Sequence, residues 1–155
     1  MRAYKQLENG ELPDQPITHD PRVKAAIIID PFPAFVSPKE NLNGITVPVQ
    51  LWSSDPAQNA DGLSGCCAAA VNQRLPAKPD YHFVENAKHY SFLATCSPKE
   101  TQAAPAICTD APGFDRIDFH RRLRADVVAF SASTSLKAQS HSDPVLGCRD
   151  DADLT

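Results

Sequence analysis

The run Val23-Lys-Ala-Ala-Ile-Ile-Ile-Asp30 is short, nearly continuously apolar and ended by Asp30-Pro31. Such a run is typical of a strand covered on both faces, as in a parallel sheet between helices. Val47-Pro-Val-Gln-Leu-Trp52 and Tyr81-His-Phe-Val84 are two further strand candidates. We therefore expect about three parallel strands.

Helical segments separate and follow these strands. The segment 63–75 is rich in small residues and stops at Pro76. The segment 114–130 is amphipathic, with Phe119, Leu123, Val127 and Phe130 at positions i, i+4, i+8 and i+11. The order strand, helix, strand, helix predicts an α/β fold built from right-handed βαβ units. The arginines of the second helix are expected to form its solvated face: Arg116, Arg121, Arg122 and Arg124.

Length and composition indicate one soluble domain. The chain has 155 residues, 42% hydrophobic and 22% charged. Residues 1–18 are expected to be a mobile arm, residues 19–130 the domain, and the Ser/Asp/Ala-rich residues 131–155 a disordered tail. A net charge of −4 argues against nucleic-acid binding. No apolar run approaches the roughly 18 residues of a membrane span, and the polar N-terminus indicates a cytoplasmic chain as given.

Glu85-Asn-Ala-Lys-His89-Tyr-Ser-Phe-Leu93 directly follows the third strand candidate. Parallel sheets gather functional groups at the carboxyl ends of their strands. His89 is therefore the leading candidate for a catalytic base, and the alternative is an ordinary loop histidine.

Several blocks resemble one known family in the same order. They are Asp20-Pro-Arg-Val-Lys-Ala-Ala-Ile-Ile-Ile-Asp-Pro31, Val47-Pro-Val-Gln-Leu-Trp52, Asn86-Ala-Lys-His-Tyr-Ser-Phe-Leu-Ala-Thr-Cys96 and Ala106-Ile-Cys-Thr-Asp-Ala-Pro-Gly-Phe-Asp-Arg116. Over residues 18–130 the chain is similar to the C-terminal part of predicted dienelactone hydrolases, α/β-hydrolases related to the platelet-activating-factor acetylhydrolases. The resemblance implies a partial α/β-hydrolase fold, hydrolysis of a small-molecule ester or lactone through an acyl-serine, and no cofactor. It also implies that His89 is the catalytic base. Lys88 departs from the glycine usual in the family and is expected to crowd the turn.

The serine nucleophile of such enzymes lies in a Gly-x-Ser-x-Gly turn. Gly62-Leu-Ser-Gly65 is one residue too short for that motif and follows the second strand candidate, whereas the resemblance places the serine upstream of all three strands. We therefore expect this chain alone to be inactive. The alternative is a catalytically dead remnant that acts as a scaffold. A sheet without its neighbouring strands is also expected to self-associate through its exposed edge.

Three aspartates are candidates for the carboxylate that orients His89. Asp61, in Asp61-Gly62, resembles the family segment between the second strand and its helix, and we place it first. Asp30, at the end of the first strand, stands where the acetylhydrolase branch has its acid. Asp55 lies nearest the second strand. Each could instead be a helix cap or turn residue.

The five cysteines suggest one disulfide and a further alternative. Cys96 and Cys108 lie in family-like blocks and are interpreted as a disulfide, which would point to a periplasmic or secreted parent protein; two free thiols are the alternative. Cys66-Cys67 and Cys148 are interpreted as packing or incidental residues. A thiol redox or metal-binding module is the less favoured alternative function. No metal site is expected, because the spacings of His19, His82, His120 and His141 are not those of metal ligands.

Overall fold

The computed structural model of the protein describes residues 20–31, 42–59 and 66–140, with the side chains of Cys66 and of residues 136–140 left out. The predicted arm 1–18, Asp61, the segment 62–65 and residues 141–155 of the predicted tail lie outside these ranges.

The described strands form one parallel sheet. They are β1 (Ala26–Ile29), β2 (Val49–Ser53) and β3 (Asp80–Phe83), in the order β1-β2-β3. The register pairs Ile28 with Leu51, and Leu51 with Tyr81. The sequence-based prediction of three parallel strands is thus confirmed. Because β2 is buried along its whole length, its residues are apolar or hydrogen-bonded, as expected for a central strand.

Helices connect and flank the sheet. They are α1 (Cys66–Arg74), α2 (Pro98–Ala103), α3 (Pro105–Cys108) and α4 (Arg116–Ser140), with 3₁₀ turns at Pro56–Gln58 and His89–Phe92. None of the helices in the described ranges is both long and apolar enough to span a bilayer.

The last helix is longer than expected. It continues past Phe130, where the sequence places the start of a tail, and is described as far as Ser140. Hydroxyl groups of this part bond to carbonyls three or four residues earlier, as Thr134 does to Phe130 and Ser135 to Ser131. Such bonds satisfy the hydroxyls without breaking the helix, so serine-rich composition was a poor guide to its end.

Two apolar clusters lie on opposite faces of the sheet. Between the sheet and α1 are Val49, Leu51, Ala68, Val71 and Leu75. Between the sheet and α4 are Trp52, Phe119 and Leu123, with Val127 partly buried against them. The apolar stripe predicted for the segment 114–130 therefore faces the sheet in α4 through Phe119, Leu123 and Val127. The result is a layer of strands between helices.

Arg116 departs from the expected solvated face of α4. It is 6% exposed and its guanidinium donates to both carboxylate oxygens of Asp110, each at 2.8 Å. Arg116 is the first residue of the helix, so its side chain reaches back into the preceding loop. The prediction of a solvated arginine holds for Arg121, Arg122 and Arg124, which are exposed, and is wrong for Arg116.

The end strand β1 carries exposed apolar side chains. Ile27 and Ile29 are paired in register with Gln50 and Trp52, so they point to the same face as α4. They are nevertheless 37% and 42% exposed. In the described part of the chain, β1 pairs only with β2.

Candidate active site at the carboxyl ends of the strands

Asp30 and His89 meet at the carboxyl edge of the sheet. Asp30 directly follows β1 and His89 begins the 3₁₀ turn that comes after β3, so the central strand lies between them in the sheet. Nδ1 of His89 is 2.6 Å from Oδ2 of Asp30. The aspartate side chain is 1% exposed and the histidine side chain 34% exposed. The pair therefore has a buried acidic end and an accessible imidazole.

The Asp30 carboxylate is satisfied by donors from Ser54, the residue that directly follows the central strand. The backbone N–H of Ser54 donates to Oδ1 at 3.0 Å, and the Ser54 hydroxyl donates to Oδ2 at 2.8 Å. A buried carboxylate needs such donors, because it has lost its hydration. Asp30 also has a φ of 43°, in the left-handed region that few residues other than glycine adopt. Strained backbone of this kind is concentrated at functional sites.

The histidine is fixed through its backbone as well as its ring. Its N–H donates to Oδ1 of Asn59 at 2.8 Å. The ring of Tyr90 packs edge-on at 5.1 Å between centroids. Within the described ranges, none of the hydrogen bonds uses Nε2 of His89. Since Nδ1 faces Asp30, Nε2 is the ring nitrogen that remains for a substrate or a nucleophile.

Lys88 does not crowd the turn as expected from the sequence. Its φ of −84° and ψ of 164° are extended backbone that any residue adopts, so glycine is not required. Its Nζ donates to the carbonyl oxygen of Thr109 at 2.9 Å. The lysine therefore ties the histidine turn to the loop before α4.

Ser91 anchors the other end of the turn. It is fully buried, accepts the N–H of Lys88 at 3.0 Å and donates to Asp110 at 2.6 Å. Asp110 is in turn held by Arg116. The start of α4 thus supports the turn that carries the imidazole.

The disulfide between Cys96 and Cys108 is present, and the predicted pairing is confirmed. It closes the loop that contains α2 and α3, and Thr109 and Asp110 follow it directly in the chain. Those two residues contact Lys88 and Ser91, so the disulfide supports the same turn from outside. Cys67 lies outside this disulfide and is buried.

The other two acid candidates have different positions. Asp55 caps the 3₁₀ turn by accepting the N–H of Ala57 at 3.0 Å, and it accepts the N–H of Asn86 at 3.2 Å. It links the loops after β2 and β3 and has no hydrogen bond to His89. Asp61 lies outside the described residues. Of the two candidates that the structure describes, Asp30 and Asp55, only Asp30 contacts the His89 ring.

Ser54 and Asn59 complete the site, and our sequence analysis did not select them. Nδ2 of Asn59 donates to Oγ of Ser54 at 3.0 Å, which joins the histidine side of the site to the aspartate side. Ser54 directly follows the central strand, and this position is a signal that could have identified it. Asn59 carries no comparable signal, because polar loop residues after a strand are common.

A cavity of about 860 Å³ lies elsewhere, between β3 and α4. It is lined in part by Trp52, His82, Phe119 and Arg122, and His89 is not among its residues. The His82 ring stacks on Trp52 at 4.1 Å, and its Nε2 is 3.1 Å from Asp80 without the alignment of a hydrogen bond. A hydrogen bond from the Gln50 amide lowers the pKa of Asp80; partial burial opposes this shift and His82 adds to it. This cavity is separate from the Asp30–His89 pair.

Neither a metal centre nor a known relative adds to the description of the site. Within the described ranges, no group of three or more His, Cys, Asp or Glu side chains is arranged to hold a metal ion. No protein-family model, curated protein or solved structure matches the chain.

Proposed function

We propose that this chain carries the acid–base part of an α/β-hydrolase that cleaves a small-molecule carboxylic ester or lactone, related to the dienelactone hydrolases. His89 is the general base, and Asp30 is the carboxylate that orients it. The observation that carries this proposal is the 2.6 Å contact between Nδ1 of His89 and the buried Asp30 carboxylate. The parallel sheet and the blocks that resemble the family support it further.

The geometry suits proton transfer at Nε2. An ionised carboxylate only accepts hydrogen bonds, so Nδ1 of the neutral imidazole carries the proton and Nε2 keeps its lone pair. Nε2 takes the proton of an attacking hydroxyl and later returns it to the leaving alcohol. Between these steps the imidazole is positively charged, and the Asp30 carboxylate stabilises that charge. The partial exposure of His89 leaves room for this exchange.

The attacking serine is proposed to come from a polypeptide segment outside this sequence. The sequence contains no Gly-x-Ser-x-Gly turn. In the described residues, no serine or cysteine is hydrogen-bonded to Nε2 of His89. In the described residues β1 pairs only with β2, and its Ile27 and Ile29 side chains are exposed on the α4 face of the sheet. Both features fit a sheet that continues into further strands with a helix layer covering this face. Without such a partner, the same edge is proposed to promote self-association.

Ester turnover tests this proposal. The purified chain is assayed with an activated ester, alone and together with a polypeptide that supplies a Gly-x-Ser-x-Gly turn and the strands expected to pair with β1. We expect no turnover from the chain alone beyond that of His89→Ala, and turnover in the combined protein that both His89→Ala and Asp30→Asn abolish or greatly reduce. Turnover in the combined protein that is insensitive to both substitutions would exclude the proposed roles. His89-dependent turnover by the chain alone would exclude an external nucleophile.

A further inference from the structure

We infer that Ser54 and Asn59 are the positioning residues of the Asp30–His89 pair, an inference that rests on the proposed acid–base function. The four residues form a closed ring of hydrogen bonds and contacts, to which His89 contributes both its ring and its backbone N–H. Asp30 meets His89, the His89 backbone donates to Asn59, Asn59 donates to Ser54, and Ser54 donates to Asp30.

Ser54 fixes the carboxylate in two places. Its N–H holds Oδ1 and its hydroxyl holds Oδ2, so rotation of the Asp30 side chain would break both bonds. The hydroxyl has only one hydrogen and could donate it in other directions. Neither the Ser54 N–H nor its hydroxyl carries a charge, so the negative charge stays on the Asp30 carboxylate, where it faces the imidazole. Ser54 is itself completely buried, so water does not compete for these bonds.

Asn59 determines where the Ser54 hydroxyl points. Its Nδ2 group donates to Oγ of Ser54, which fills an acceptor position of that oxygen and leaves the hydroxyl hydrogen for Asp30. The same Nδ2 also donates to the carbonyl oxygen of Asp55 at 2.8 Å, and this second bond fixes the amide orientation. Oδ1 is then directed to the N–H of His89. One amide therefore sets both the donor to the acid and the position of the base.

The tautomer of the His89 imidazole tests this inference by a readout that stability alone does not move. ¹⁵N NMR of the ring is recorded for the purified chain at a pH above about 8, where an ordinary imidazole is neutral. We expect the unaltered chain to show the Nδ1–H tautomer. Ser54→Ala and Asn59→Ala should each make the Nε2–H tautomer appear, because Asp30 is no longer held against Nδ1. Ser54→Thr keeps the hydroxyl and should restore the single Nδ1–H form.

Two matched controls separate positioning from general loss of structure. Ser53→Ala removes a neighbouring buried hydroxyl that donates to the Ser54 carbonyl, and Gln58→Ala removes the amide next to Asn59 in the chain. Both should keep the Nδ1–H tautomer. If Ser54→Ala is too unstable to study, the half-buried Asn59 provides the decisive variant. Folded Ser54→Ala and Asn59→Ala proteins that keep only the Nδ1–H form would overturn the inference. An Nε2–H form in the unaltered chain would instead contradict the proposed function itself.

Discussion

The buried carboxylate of Asp30 and the accessible imidazole of His89 face each other at 2.6 Å across the end of the central strand. The two residues are distant in sequence and are joined only because three parallel strands end at one edge of the sheet. This contact connects the stability of the site to its chemistry.

Removal of the Asp30 carboxylate should destabilise the protein. Asp30→Ala leaves the Ser54 N–H, the Ser54 hydroxyl and Nδ1 of His89 without their acceptor in a buried place. We expect the free energy of unfolding to fall by about 3 kcal/mol. Urea unfolding followed by circular dichroism measures this.

The matched control is Asp20→Ala. Asp20 is an exposed aspartate that pairs with Arg22, and its loss should cost about 1 kcal/mol or less. Equal effects of the two substitutions would show that the Asp30 network contributes nothing specific to stability.

The apolar contact between α4 and the sheet should depend on Phe119. This side chain is 2% exposed and contacts Trp52, Phe92 and Phe114 through its ring. Phe119→Ala should lower the free energy of unfolding by about 3–5 kcal/mol. Ile117 lies on the same helix and is 72% exposed, so Ile117→Ala should change the free energy of unfolding by no more than about 0.5 kcal/mol. Similar losses for both would mean that α4 does not pack on the sheet as described.

The disulfide should stabilise the loop that supports the histidine turn. Cys96→Ser combined with Cys108→Ser should lower the free energy of unfolding by about 3 kcal/mol, because the bond restricts the unfolded chain. The Cys67→Ala protein keeps the disulfide and should lose the same stability when a reductant is added. An unfolding curve that does not respond to reductant in the unaltered chain or in Cys67→Ala would contradict this role.

Acid should weaken the contact between β2 and β3 through Asp80. The hydrogen bond from Gln50 lowers the pKa of Asp80 in the folded protein. A lowered folded pKa favours the ionised, folded form, so this stabilisation is complete above the unfolded value of about 4 and is lost as the pH falls through the folded value. The unfolding free energy of Asp80→Asn should therefore depend less on pH in this range. A ¹³C titration of the Asp80 carboxyl group should show a lower midpoint in the unaltered chain than in Gln50→Leu; equal midpoints would contradict the assigned cause.

The sequence was informative about the strands and less so about the site. The continuous apolar run before Asp30 predicted a strand, and β1 is one, but the expected cover on both faces is wrong because Ile27 and Ile29 are exposed. The central strand β2 is the one that is buried along its whole length. Phe119 and Leu123 predicted which side of α4 meets the sheet. These features follow from local periodicity. The extent of α4 beyond Phe130 did not follow from local periodicity, because serine is compatible with both a helix and a disordered segment.

The choice among the acids depends on three-dimensional relationships that no local pattern contains. Asp30 reaches His89 through its left-handed backbone conformation and through the alignment of three strand ends. Asp55 follows β2 in a similar way, yet its side chain turns to cap the 3₁₀ turn at Pro56–Gln58. Asn59 is recognisable only when the loops after β2 and β3 have been brought together.

The tautomer of His89 in the unaltered chain and in Asp30→Asn tests the proposed acid–base pair most directly. The Ser54 N–H holds the amide oxygen of the substituted side chain at the Oδ1 position, so its NH₂ group would face Nδ1 and donate to it. ¹⁵N NMR above about pH 8 should therefore show Nδ1–H in the unaltered chain and Nε2–H in Asp30→Asn. The same tautomer in both proteins would contradict an acid–base pair formed by Asp30 and His89.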